Sequence, residues 1–298
     1  MKRLFFAIYL LVVLASPAWS RELVDQLGRR VIVPENPQRV VALAPSLVEI
    51  VYSLGQEAKL QGATQYSDYP EAAKKLPRVG SYVRLDIERI VALKPDLCLA
   101  VREGNPKHQV EKLVALGIPV YVVDPHDLKG VMAAIHGIGV ALGVEPRAAK
   151  VVAAMRQRIA AVAARIAKAN SRPNVFFQVD AGRIVTTGTD TFIHELIYLA
   201  GGVNLGAGPV AYPRMSWEQV LALRPEIVVI TSMAGGQTPE QLTAGWRRWP
   251  GIPAVQQNRL HVVAADLFDR PTARLVDGLE LLAALIHPEL FGPAHGSR

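Results

Sequence analysis

Short apolar runs alternate along the chain with segments whose apolar residues recur every three or four positions. The first pattern reads as buried strands and the second as amphipathic helices. Leu23 to Val33 alternates around Leu27-Gly28-Arg29 and predicts a β-hairpin. A strand over Val40–Leu43 leads through Pro45 and Ser46 into a helix over Leu47–Leu54, closed by Gly55. Further strands are predicted at Leu97–Ala100 and Val120–Val123, with helices at Ile87–Leu93, Gln109–Leu116 and Leu128–Leu142. The same alternation returns later: strand Val175–Val179, helices Phe192–Ala200 and Trp217–Leu223, strand Ile227–Thr231, helix Pro239–Trp246, strand Leu260–Val263 and helix Thr272–Ile286. Such βα units imply an α/β fold with mainly parallel sheets.

Between the two series lies Pro146–Asn170, Ala-rich, punctuated by Arg and Lys and free of internal Gly or Pro. That composition favours one helix, about 35 Å long at ~1.5 Å per residue. It can run from one domain to another. The expected organisation is 1–20 as a signal peptide, 21–145 as an N-terminal lobe, 146–170 as a bridging helix and 171–298 as a C-terminal lobe.

A repeat strengthens the division. Leu85-Asp86-Ile87-Glu88-Arg89-Ile90-Val91-Ala92-Leu93-Lys94-Pro95-Asp96-Leu97 aligns with Met215-Ser216-Trp217-Glu218-Gln219-Val220-Leu221-Ala222-Leu223-Arg224-Pro225-Glu226-Ile227. Asp86 and Ser216 stand where helix N-caps belong. Glu88 and Glu218 fall in the first turn, where the helix dipole favours a carboxylate. One copy precedes the long helix and one follows it. From the residues alone, the two acids are equally well read as duplicated capping or as a paired surface feature.

The first twenty residues carry Lys2 and Arg3, the apolar run Leu4–Ala15 and Ala18-Trp19-Ser20. This is the layout of a cleavable secretory signal. A membrane anchor is the alternative, but the run falls short of the ~20 residues a spanning helix needs. Cleavage there removes Lys2 and Arg3 and no acid, taking the formal charge from +7 to +5. The remaining Lys and Arg are dispersed, so no nucleic-acid stripe forms. Cys98 is the only cysteine. It excludes an intramolecular disulfide and, inside an apolar strand, reads as an inert buried thiol. With no cysteine after the signal to carry a lipid, a periplasmic protein, monomeric and without intrinsic cofactor, is expected.

No catalytic residues are assigned: the sequence holds no G-x-S-x-G elbow, phosphate loop or H-E-x-x-H. Gly137-Ile138-Gly139 with Gly143 has the wrong spacing for a dinucleotide fingerprint and reads as a close-packed helix face. The histidines, among them His108, His126, His136, His194 and His261, show no paired ligand spacing, so no metal site is assigned. With aromatics only 6% of the chain, those in loops stand out. They are Tyr66-Ser67-Asp68-Tyr69-Pro70, Tyr82 before the first repeat and Tyr212 before the second. Flat rings with a polar tip suit a large amphipathic ligand.

Taken together, the Ser67–Pro70 turn, the Asp86–Leu97 segment, Arg102-Glu103-Gly104-Asn105 and the Trp217–Leu223 segment resemble the vitamin B12-binding proteins of ABC importers. These belong to the helical-backbone class of solute-binding proteins, alongside siderophore and haem binders. The resemblance covers nearly all of the chain after the signal. It implies two Rossmann-like lobes bridged by one rigid helix, a corrinoid held in the cleft between them, and little hinge motion. It also implies one Glu per lobe, here Glu88 and Glu218, docking onto arginines of an inner-membrane permease dimer. Tyr66 matches the family's Tyr. Tyr82, Tyr212 and Val101 stand where the family has Trp, and Asp266 and Arg270 match its late-loop acid and arginine. A ferric siderophore or haem is the alternative ligand, left open by Arg84, Arg102, Arg183, Arg214 and Arg270. An exported metal-dependent enzyme is the third reading.

Overall fold

The computed structural model describes residues 20–180, 184–231 and 238–292. The expected signal peptide, as far as Trp19, and Arg183 lie outside them. Each lobe is built on a four-stranded parallel sheet. In the N-terminal lobe the strands lie in the order Leu60–Ala63, Val40–Ala42, Leu97–Val101, Val120–Val123. In the C-terminal lobe the order is Val203–Asn204, Asn174–Gln178, Ile227–Ile230, Leu260–Val262. Read in chain order, both sheets run second, first, third, fourth. The sequence repeat therefore marks a repeated topology.

Both sheets bury both faces, as parallel sheets do. Leu97, Leu99 and Val101 point into one core, while Cys98 and Ala100 point into another. In the other lobe Phe177 and Phe176 part in the same way. The edge strands Leu60–Ala63 and Val203–Asn204 were not predicted. They are short, the first carries Gly62, and neither shows an apolar run.

The repeated segments match in detail. Asp86 accepts from the Arg89 backbone N–H, and Ser216 from that of Gln219, at the starts of the helices Ile87–Ala92 and Trp217–Leu223. Lys94 and Arg224 both adopt φ of 47°, in the left-handed region that ends each helix before its proline. The next residue but one then clasps the neighbouring strand. Asp96 accepts from the Gln38 and Arg39 N–H groups, and Glu226 from that of Asn174.

The bridging helix spans Glu145–Ile166. It packs against the helices Leu128–Ala141 and Leu275–Ile286, one in each lobe. Its Val152, Met155, Val162 and Ile166 belong to one core that also holds Ile138 and Leu279. Arg158 reaches from it to Asp277 and Glu280, both at 2.6 Å. A continuous core through helix and lobes resists wide hinge motion.

Candidate functional site: the cleft between the lobes

Ligands of open parallel sheets bind beyond the carboxyl ends of the strands. Those ends of the two sheets supply the residues of a cavity of about 270 Å³. Arg102, Glu103, Asp124 and His126 line it from the N-terminal lobe, and Asp190, Phe192 and Tyr212 from the C-terminal lobe. Arg102 and Glu103 directly follow the strand Leu97–Val101, and Asp124 follows Val120–Val123.

The Arg-x-Gly-Asn stretch is explained by packing. Asn105 is buried, its Oδ1 accepting from the Val101 N–H at 2.8 Å and its Nδ2 donating to the Leu43 and Tyr82 carbonyls at 2.8 Å. It ties three loops together at the sheet edge. Gly104 has φ of 113°, and a Cβ there would come within 2.7 Å of the Tyr82 ring. Only glycine fits both demands. Val101 is itself buried and presents little surface to the cleft.

Tyr212 sits in the cavity with 43% of its surface exposed. It is walled in by both lobes yet reachable from solvent. Burial, then the nearby carboxylates of Glu103 and Asp269, push its phenol up to about 12. Tyr66 and Tyr69 are likewise exposed, on the turn that precedes Glu71.

Asp266 begins the short helix Asp266–Asp269, where a loop was expected. Arg270 follows it with its guanidinium largely occupied. Nη1 lies 2.9 Å from Glu49, and Nη2 lies 2.8 Å from Asp68 and 3.0 Å from Asp266. Burial works against its charge, but hydrogen bonds to Glu49 and Asp68 outweigh that and raise its pKa. Of the six residues assigned to the ligand, Tyr212 lines the cavity, Val101 is buried, Tyr82 packs behind Gly104, and Asp266 and the Tyr66 carbonyl meet at Arg270, outside the residues that line the cavity.

Glu49, Asp124, His126, Asp190 and Asp269 were not assigned from the sequence. His126 Nε2 lies 3.1 Å from Asp124, which also pairs with Arg102 at 2.8 Å. Asp269 is pushed up to about 7 by burial and by Asp266, with Arg270 opposing. A carboxyl whose folded pKa exceeds its unfolded value stabilises the fold most below the unfolded value. That contribution is lost as pH rises from about 4 to about 7. Asp269→Asn, which cannot ionise, is therefore expected to gain Tm relative to the parent chain across this window. A constant difference measured by thermal unfolding across the window would show that Asp269 does not titrate there.

Glu88 and Glu218 are both exposed, in the first turns of the equivalent helices. Among the described residues neither forms an ion pair. The Ser216 side chain and the helix backbone hold Glu218 below the usual carboxylate range. A second cavity of about 610 Å³ opens beside Glu88, lined also by Arg84, Asp86 and Lys112.

Residues 40–267 match the family described as periplasmic binding protein. The chain belongs to that family. A vitamin B12-binding protein of Yersinia pestis is 32% identical over 241 residues, covering 80% of this chain and 82% of the relative. The periplasmic vitamin B12 binding protein of Vibrio cholerae superposes with a TM-score of 0.72 at 30% identity, covering 85% of this chain and 98% of that one. A periplasmic heme binding protein of Pseudomonas aeruginosa superposes with a TM-score of 0.77 at 31% identity, covering 85% and 94%. These relatives are solute-binding proteins. Among the described residues no helix is long and apolar enough to cross a membrane, and no group of three or more His, Cys, Asp or Glu could hold a metal. Cys98 is buried, and burial pushes its thiol up to about 12, which leaves no nucleophile there.

Proposed function

We propose that this chain captures cobalamin or a related corrinoid in the periplasm and delivers it to an inner-membrane ABC permease, working as a monomer and making or breaking no bond. The observation that carries this reading is the charge state of the cleft. Arg102 is matched by Asp124, and Arg270 by Glu49, Asp68 and Asp266. Glu103 and Asp190 add further acid. Such a cleft repels an anion and accepts a ligand rimmed with amides, whose N–H groups donate to carboxylates.

The flat faces of Tyr212 and Phe192 supply apolar contact for a macrocycle. A corrinoid is larger than the cavity, so its edge extends past the mouth. The relatives that bind vitamin B12 support the same ligand class.

Haem is the second reading, favoured by the half-exposed phenols and by the Pseudomonas aeruginosa relative. Its carboxylate side chains fit the acidic lining poorly. Calorimetric titration with cyanocobalamin, haemin and a ferric siderophore separates the readings. Saturable heat with cyanocobalamin alone is expected. Heat with haemin and none with any corrinoid would overturn the assignment.

A further inference from the structure

Glu49 lies on the helix Pro45–Ser53 of the N-terminal lobe, within the apolar run Leu47-Val48-Glu49-Ile50-Val51. Its side chain is 3% exposed, yet all its partners come from the opposite lobe. Arg270 Nη1 donates to it at 2.9 Å, Thr272 Oγ1 at 3.2 Å and Arg274 Nη1 at 3.3 Å. The same two arginines continue to the aromatic turn of the N-terminal lobe. Arg270 reaches Asp68 and the Tyr66 carbonyl, and Arg274 lies 3.8 Å from the centroid of the Tyr69 ring.

A second tie crosses between the lobes elsewhere. Glu195 Oε2 accepts from the Leu128 N–H at 2.7 Å, capping a helix of the other lobe. The rim acids Asp68 and Asp266 are about half exposed, so solvent screens their pull on Arg270. Glu49 is not screened in that way. Removing its charge leaves two partly buried guanidinium groups short of their buried partner, which a folded protein relieves by moving them toward water.

We propose that Glu49 is a positioning residue that sets the width of the cleft. It fixes the Asp266–Arg274 wall against the turn carrying Tyr66 and Tyr69, so that a flat ligand meets a gap of one size. The role of the wall is independent of which ligand binds; only the affinity readout below rests on the corrinoid reading.

The test places spin labels on Val114→Cys and Val203→Cys, exposed positions in opposite lobes, with buried Cys98 left unlabelled. Glu49→Gln is expected to broaden the inter-lobe distance distribution at least about twofold, since the lobes lose a discrete docked arrangement. Cyanocobalamin affinity is expected to fall about tenfold. Glu49→Asp, which keeps the charge, should restore most of both. Should Glu49→Gln not fold, Arg274→Gln removes the second guanidinium and should broaden the distribution in the same direction. An unchanged distribution in the folded variant, whatever its Tm, would overturn the proposal. Broadening in a protein that never bound cyanocobalamin would end the corrinoid reading and leave the positioning role standing.

Discussion

Reversing the charge of Glu88 and Glu218 together is expected to abolish corrinoid uptake while leaving corrinoid capture intact. The caps of these helices do not depend on the two carboxylates. Asp86 and Ser216 already accept from the backbone N–H groups of the first turn, and Gln219 completes a capping box in the second copy. What remains for an exposed first-turn acid is the dipole, worth about 0.3–1 kcal/mol at each site. Substitution by Lys should therefore cost little stability. At a docking surface the arithmetic differs, because the exposed acids form no ion pair among the described residues. Loss of a hydrogen-bonded charge pair across an interface costs ~2 kcal/mol or more. Two such losses give roughly a thousandfold weaker docking. Uptake of labelled cobalamin by cells or vesicles, set beside calorimetric binding to the purified double variant, separates the two roles. Uptake at the parental rate would return both acids to capping.

The duplicated architecture was legible because its signals are local. The N-cap, the apolar spacing and the proline all fall within thirteen residues, and the two copies repeat them. The tyrosine loops were legible because aromatics are scarce and these stand between periodic segments. The edge strands escaped because two to four residues carry no period, and their place is decided by pairing with Val40–Ala42 and Asn174–Gln178.

The anchor of the cleft escaped for a stronger reason. Glu49 looks like a lone acid in a buried helix, and its partners lie 221, 223 and 225 residues away. No window on the chain contains both halves. The same holds for Glu195, which begins its own helix but caps another that starts 67 residues earlier. Arg270 was assigned to the ligand from resemblance. Its geometry adds a tie between lobes that resemblance does not convey. Among the described residues, the tryptophans have also parted from the cleft. Trp217, Trp246 and Trp249 form one cluster in the C-terminal lobe, while Tyr212 lines the cleft.

That cluster carries the largest expected effect on stability. Trp246 is 1% exposed, and its ring lies 5.4 Å from that of Phe176 and 5.2 Å from that of Trp217. Its indole N–H donates to the Gln178 Oε1 at 2.8 Å, and Gln178 is itself buried. Trp246→Ala opens a cavity, at a cost of about 3–5 kcal/mol for this kind of truncation. It also strands a buried amide oxygen, which by itself costs about 1–3 kcal/mol. Domains of this kind are stable by only about 5–15 kcal/mol. A loss near 5 kcal/mol would leave the C-terminal lobe close to its unfolding midpoint. Trp246→Phe keeps most of the packing and loses the hydrogen bond, so it should fall between. Trp217 opens the helix that presents Glu218, and it loses its edge-on neighbour in the alanine variant. Docking should therefore weaken before ligand capture does. Urea unfolding followed by circular dichroism checks the first claim, and uptake beside calorimetry checks the second. A shift below about 1 kcal/mol would mean that the lobe closes over the missing ring, which a well-packed core of this size does not do.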